Sequence, residues 1–503
     1  MRLPRASGVL LHPTSLPGRH GSGDCGPGAY HFVDWLVSAG QQLWQILPLT
    51  GIGAGHSPYM SRSAFAGNEL LIDLDALGRE GWLTDGELEP PPGIGDEAVA
   101  FEVVVPFRLA RLRAASARFA AHRPTAAHAA FEAYCQAQAA WLDDYALFMA
   151  LSGAHPGVEW RDWPGGLAER RPASLDAARA ALADEVHHWR FCQWTFDRQW
   201  ASLRHYANDR GVRILGDTPI FVSGQSADVW AHPELFELGE DGSPSVVAGV
   251  PPDFFSATGQ RWGNPLYRWA AHEAEGFAWW IARVRRTFAL VDVVRIDHFR
   301  GFAAHWEIPA SEPTAVQGRW VAGPGLALFT ALAGALGPMP IVAEDLGVIT
   351  PDVHQLRRQC GFPGMRILQF AFESGAGNPF LPHHYEPDTV VYTGTHDNNT
   401  SVGWWAGASE HERAFARAYL ATDGSDIAWS LMRAAWGSVA DTAIAPMQDV
   451  LALPASARMN LPGQGEGWWR WRFAWHQVQA SHGARLVELG RIFDRPGPTA
   501  ARA

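Results

Sequence analysis

Val291-Asp292-Val293-Val294-Arg295-Ile296-Asp297-His298-Phe299-Arg300-Gly301 joins a β-branched run to a charged tip. Val293, Val294 and Ile296 suit a buried strand; Arg295, Asp297 and His298 suit one only if its end opens onto a site. The same pattern recurs. Short apolar runs with polar tips stand at residues 8–12, 43–49, 213–217, 291–296, 340–343, 365–370, 389–392 and 449–453. Between the first two, residues 27–39 carry apolar side chains at helical spacing and stop at Gly40, a βαβ unit that implies parallel strands. Eight strand-helix units predict an α/β fold, a (β/α)8 TIM barrel in preference to an open sheet. Such a barrel gathers its polar strand ends at one mouth.

The alternation is interrupted once. Residues 90–93 are turn-rich, and Ala-rich helical spacing then runs through 128–152 and 174–208. The expected organisation is a catalytic barrel from 1–73 and 207–503, with a mainly helical insertion at 74–206 between strands two and three and smaller loop insertions elsewhere. The aromatic stripe Trp189, Phe191, Trp194, Phe196 and Trp200 reads as core of that insertion.

Composition removes several function classes. The net charge of −12, with no basic run, disfavours nucleic acid and anionic membrane surfaces as partners. All 40 basic residues are arginine, so no lysine exists for a Schiff base, a Walker phosphate loop or a kinase strand. Cys25, Cys135, Cys192 and Cys360 are widely spaced and form no CxxC pair, which predicts a reducing cytoplasm. The apolar run 8–11 is too short for a signal-peptide core. The pattern Gly21-Ser22-Gly23-Asp24-Cys25-Gly26 resembles a dinucleotide loop, but eight residues separate it from its strand and no acid follows at ribose distance. Without HxH or HExxH, no metal is expected; no cofactor is expected either. Gly51-Ile52-Gly53-Ala54-Gly55 reads as a loop that lets backbone approach a ligand.

Three acids occupy matched places: Asp297 after strand four, Glu344 after strand five and Asp397 after strand seven. Each alone could be a solvated loop residue or a helix cap. Together, flanked by Arg295, His298 and His396, they read as neighbours at one barrel mouth. Crowded carboxylates do not all ionise easily, so one keeps its proton as an acid while another stays anionic, as glycosidic bond cleavage requires.

Arg295-Ile296-Asp297-His298-Phe299, Ala343-Glu344-Asp345-Leu346-Gly347 and Thr393-Gly394-Thr395-His396-Asp397-Asn398 resemble the signature blocks of amylomaltase-type 4-α-glucanotransferases, relatives of the α-amylase clan. Further similar blocks include His12-Pro13-Thr14-Ser15-Leu16-Pro17, Ser57-Pro58-Tyr59, Gly216-Asp217-Thr218-Pro219-Ile220 and Gly259-Gln260-Arg261-Trp262-Gly263-Asn264-Pro265. The resemblance implies a retaining double displacement. Asp297 would be the nucleophile, Glu344 the acid/base and Asp397 the transition-state stabiliser. The two working carboxylates would lie about 5 to 5.5 Å apart. It also implies that Arg295 orients Asp297 and that His298, His396 and Asp217 bind sugar, with Tyr59, Ser57 and Asn398 beside them. Residues 248–265 are expected to form a lid loop offering Phe254, Phe255 and Trp262 to sugar faces. The implied partners are α-1,4-glucans and malto-oligosaccharides, with glucose as an acceptor. Water as the acceptor would make the same acids an α-amylase-like hydrolase, and a third reading is a non-catalytic glucan-binding protein. The chain departs from the resembled pattern at His56, Met60, Glu69 and Phe254, and at Trp468, where asparagine is usual.

Overall fold

The computed structural model describes residues 3–123, 125–252, 256–495 and 497. Its centre is eight parallel strands: β1 (Ala6–Leu10), β2 (Leu43–Gln45), β3 (Arg213–Pro219), β4 (Val293–Asp297), β5 (Ile341–Ala343), β6 (Gly364–Ile367), β7 (Thr389–Tyr392) and β8 (Thr442–Pro446). Their ladder runs β6-β7-β8-β1-β2-β3-β4-β5, cyclic chain order, as in a TIM barrel. The remaining seam is crossed by Ala343 N–H to Pro363 O at 2.9 Å and by Met365 N–H to the Asp345 carboxylate at 2.7 Å. Arg357 and Arg366 neutralise that buried carboxylate from 3.3 and 3.6 Å. Gly364 is required at this seam, since a Cβ there would stand 2.5 Å from Asp345 Oδ2.

The eighth strand corrects the sequence reading. Residues 449–453 are not a strand; Met447–Val450 is a helical turn, and the chain closes the barrel through Thr442–Pro446. Two alanines and a terminal proline give that segment weak strand propensity. Pairing with β1 and β7 on its two sides overrides this, and all five residues are buried. Asp449 is polar for another reason. It is buried and accepts bonds from Ser401 N–H at 2.7 Å and from the Ser401 and Thr393 hydroxyls, which ties down the chain after β7.

A second sheet was also unforeseen. Val246–Val250, Gln260–Pro265, Ala304–Pro309 and Arg319–Ala322 form an antiparallel ribbon, so both ends of 248–265 are paired strands. Between β2 and β3 the chain folds into helices, chiefly Phe101–His122, Thr125–Ala154, Pro172–Ala181 and Ala183–Asp209. The aromatic stripe lies inside, and its last member, Trp200, donates to Leu290 O at 2.8 Å. Gln193 exchanges two bonds with the Gly67 backbone, at 2.7 and 2.9 Å.

One of the glycines after β2 meets a distant part of the chain. Gly55 is left-handed (φ 63°), and a Cβ there would meet Gly465 O at 2.0 Å. Gly55 therefore permits close backbone approach to the C-terminal segment. At the N-terminal end of β1 and β8, buried Arg495 donates to the carbonyls of Ala6, Asp441, Ala440 and Trp436 at 2.7–2.9 Å. Among the described residues no helix is long and apolar enough to cross a membrane.

Candidate active site

Strand register brings the charged tips together. Asp217 on β3 stands opposite Arg295 on β4, and Nη1 of Arg295 donates to both Asp217 oxygens at 2.8 and 2.7 Å. Two residues along the same face, Asp297 lies 2.8 Å from Arg295 Nη2. From the loop after β2, the Tyr59 hydroxyl donates to Asp217 Oδ2 at 2.8 Å and lies 2.9 Å from His396 Nε2. His396 in turn sits 3.3 Å from Asp397. A continuous string of polar contacts thus runs from Asp297 to Asp397 and spans material from β2, β3, β4 and β7.

Glu344 is held on the other side of β4. Its Oε2 accepts from His298 N–H at 2.7 Å and its Oε1 from Leu346 N–H at 2.9 Å. His298 reaches this position in the left-handed conformation (φ 53°), which turns the chain sharply after Asp297. The ribbon supplies Trp262, whose ring stands edge-on to His298 at 4.8 Å and 89°.

The environments of the three acids differ. Burial pushes the Glu344 carboxyl up to about 8, and Asp297 pushes the same way against Arg295 and the two N–H donors. Burial and the charges of Asp217 and Asp397 raise Asp297, while Arg295 and His396 oppose them; 31 % of its side chain remains open to the cleft. Burial alone would raise Asp397 too, but His396, the 2.6 Å bond from Asn460 Nδ2 and Arg295 outweigh it and hold Asp397 well below the usual carboxylate range. His396 is raised because Asp397 overcomes burial, whereas burial lowers His298 to about 3. The geometry therefore combines a proton-holding carboxyl, an arginine-paired carboxylate and a firmly anionic one.

Two of the expected residues also hold their own loops. Ser57 Oγ accepts from Tyr59 N–H at 3.2 Å and shapes the turn that carries Tyr59. Asn398 Oδ1 accepts from Thr395 N–H and Oγ1, both at 2.9 Å, and so ties its own loop. Phe254 and Phe255 lie outside the described residues. Other contacts were not assigned from sequence. Asn460 reaches Asp397, Arg458 donates to the Asp397 carbonyl, and Trp469 packs 5.7 Å from Tyr59 and 5.9 Å from His396. Their signals were the block Arg458-Met459-Asn460-Leu461-Pro462-Gly463 and the stretch Gly467-Trp468-Trp469, neither of which has strand or helix periodicity. Among the described residues no group of three or more His, Cys, Asp or Glu is disposed to hold a metal ion.

The family model described as 4-alpha-glucanotransferase matches residues 11–478. A Thermus thermophilus 4-alpha-glucanotransferase is 51 % identical over 503 residues, covering 98 % of this chain and 100 % of that protein. A Synechocystis 4-alpha-glucanotransferase is 49 % identical over 495 residues, with 98 % of each covered. Among solved structures, the amylomaltase from Streptococcus agalactiae in complex with acarbose superposes with a TM-score of 0.95 at 38 % identity, covering 98 % of this chain and 100 % of that one. With the three acids at one barrel mouth and agreement along nearly the whole length, the chain belongs to the 4-alpha-glucanotransferase family, glycoside hydrolase family 77.

Proposed function

We propose that this protein transfers α-1,4-glucan segments between malto-oligosaccharides by a retaining double displacement, with glucose among its acceptors. The observation that carries the reading is the split among three neighbouring carboxyls: Glu344 keeps its proton to about 8, Asp397 stays anionic, and Asp297 is oriented by Arg295. Glu344 protonates the leaving glycosidic oxygen as Asp297 attacks the anomeric carbon and forms a glycosyl ester. Glu344, now ionised, takes the proton from the incoming sugar hydroxyl, which displaces Asp297 and restores both groups. Asp397 and His396 hold hydroxyls of the distorted sugar, and Asp217 and Tyr59 complete the same wall. Trp262 offers an aromatic face from the ribbon on the His298 side. Four free cysteines and the absence, among the described residues, of a membrane-crossing helix support a cytoplasmic setting.

Incubation with pure maltotriose tests the reading. Transfer yields glucose together with longer oligomers and leaves the number of reducing ends unchanged. Only shorter products, each with a new reducing end, would make the protein a hydrolase.

A further inference from the structure

His12 and His396 both line a small, half-open pocket of about 20 Å³. Its walls are apolar, with Leu47 and Met459 among them, except for His12, Ser15, Gln448 and His396. His12 stands two residues beyond β1 and is 5 % exposed, as is His396. The Nδ1 atoms of both histidines are buried and have no hydrogen-bond partner among the described residues. An unmet buried polar atom costs about 1–3 kcal/mol, and a water needs only about 10–15 Å³ together with two to four polar partners.

We propose that one water molecule occupies this chamber, bridging His12 Nδ1 and His396 Nδ1, and that through it His12 is a positioning residue for His396. Proton positions follow from the surroundings. Burial lowers His12 to about 3, so its ring is neutral and its Nδ1 can accept. Asp397 raises His396, whose Nε2 is occupied by Tyr59 and Asp397. His396 Nδ1–H then donates to the water, and the water donates to His12 Nδ1, with Ser15 or Gln448 within the same walls for its second hydrogen. The other charged and titratable groups facing His396 are Tyr59 from the loop after β2, Asp217 on β3, Arg295 and Asp297 on β4, and Asp397 on its own loop. Burial and Arg295 work against a charge on His396, and the bridge adds neutral His12 as an acceptor in its favour. His396 is thereby kept as a charged donor toward Asp397 and the sugar, a consequence that rests on the reading of Asp397 given above.

The test compares wild type with His12→Leu, which removes the acceptor, and His12→Asn, whose amide oxygen can take the place of Nδ1. The full-length proteins are labelled with ¹⁵N-histidine, and the His396 titration is followed by NMR beside the pH profile of kcat and KM for maltotriose. A hydrogen bond to a charged group is worth about one to two pKa units. The His396 midpoint should therefore fall by about one unit in His12→Leu, with kcat reduced about tenfold at neutral pH, and recover in His12→Asn. A crystal structure of the wild type should show water within about 3.2 Å of both nitrogens. An unchanged His396 titration in a folded His12→Leu protein, or a dry chamber at high resolution, overturns the proposal. If the titration shifts while kcat stands, the bridge holds and the assignment of His396 and Asp397 to the sugar fails instead.

Discussion

Glu344→Gln should change the slope of stability against pH, because the wild-type site holds a proton that the unfolded chain releases. The unfolded carboxyl ionises near 4.5 and the folded one near 8. Between those values the native state binds more protons, so this residue's contribution to stability is greatest below 4.5 and is lost as pH rises toward 8. At about 1.4 kcal/mol per tenfold in proton binding, the interval sets a ceiling of about 5 kcal/mol. Glu344 is only half-buried and keeps two N–H donors. Solvent screening at the open cleft reduces the expected loss to about 2–3 kcal/mol. Glutamine does not titrate, but it brings one acceptor oxygen to two N–H groups, a constant penalty of about 1–3 kcal/mol. Urea midpoints for both proteins, taken from about pH 5 to pH 9 and converted to free energies, should show the variant less stable in acid and the gap closing or reversing in alkali. Groups that do not interact with Glu344 cancel in this difference, and Asp297, which does, belongs to the same slope. A gap that stays constant across the range refutes the argument that Glu344 holds its proton to about 8.

Three further outcomes are expected. Asp297→Asn should lower transfer from maltotriose by at least about a thousandfold with little change in thermal midpoint, and undiminished turnover would remove it as nucleophile. Tyr59→Phe deletes the hydroxyl shared by Asp217 and His396, so kcat/KM should fall about tenfold to a hundredfold, measured with the same substrate. Arg495→Met strips four buried carbonyls of a donor at the closed end of the barrel, so it should lower unfolding free energy by about 3 kcal/mol in urea while leaving the rate per folded molecule unchanged.

Seven of the barrel strands were legible because short apolar runs end in polar tips, a pattern that suits buried strands feeding a mouth. Thr442–Pro446 was not legible. Its alanines fit a tight place between two neighbours, a constraint visible only once β1 and β7 are in position. The ribbon escaped for a related reason: Gly249, Gly259 and Gly263 read as loop residues, yet Gly249 pairs with Arg261 across strands with an irregular register. At the site, Asp297, Glu344 and Asp397 announce themselves by position, as do Arg295 and His396 beside them. Asn460 and Trp469 do not, since they belong to irregular backbone and reach the site through contacts with residues distant in sequence. Ser57 and Asn398 lie in blocks that carry the resemblance, and their oxygens also hold their own turns, a role that motif matching alone does not reveal.

The string from Asp297 through Arg295, Asp217, Tyr59 and His396 to Asp397 also bears on how such a site can change over generations. Each member is the partner of the next, so replacing one leaves another buried and unsatisfied, and the effects of two replacements will not add. Drift in acceptor preference therefore has little room along this string. It has more at Trp262 and on the ribbon, whose contact with His298 is one ring edge and whose strands can be exchanged without breaking an ion pair of the acids. Directed evolution of product length is best aimed there, with the string left whole.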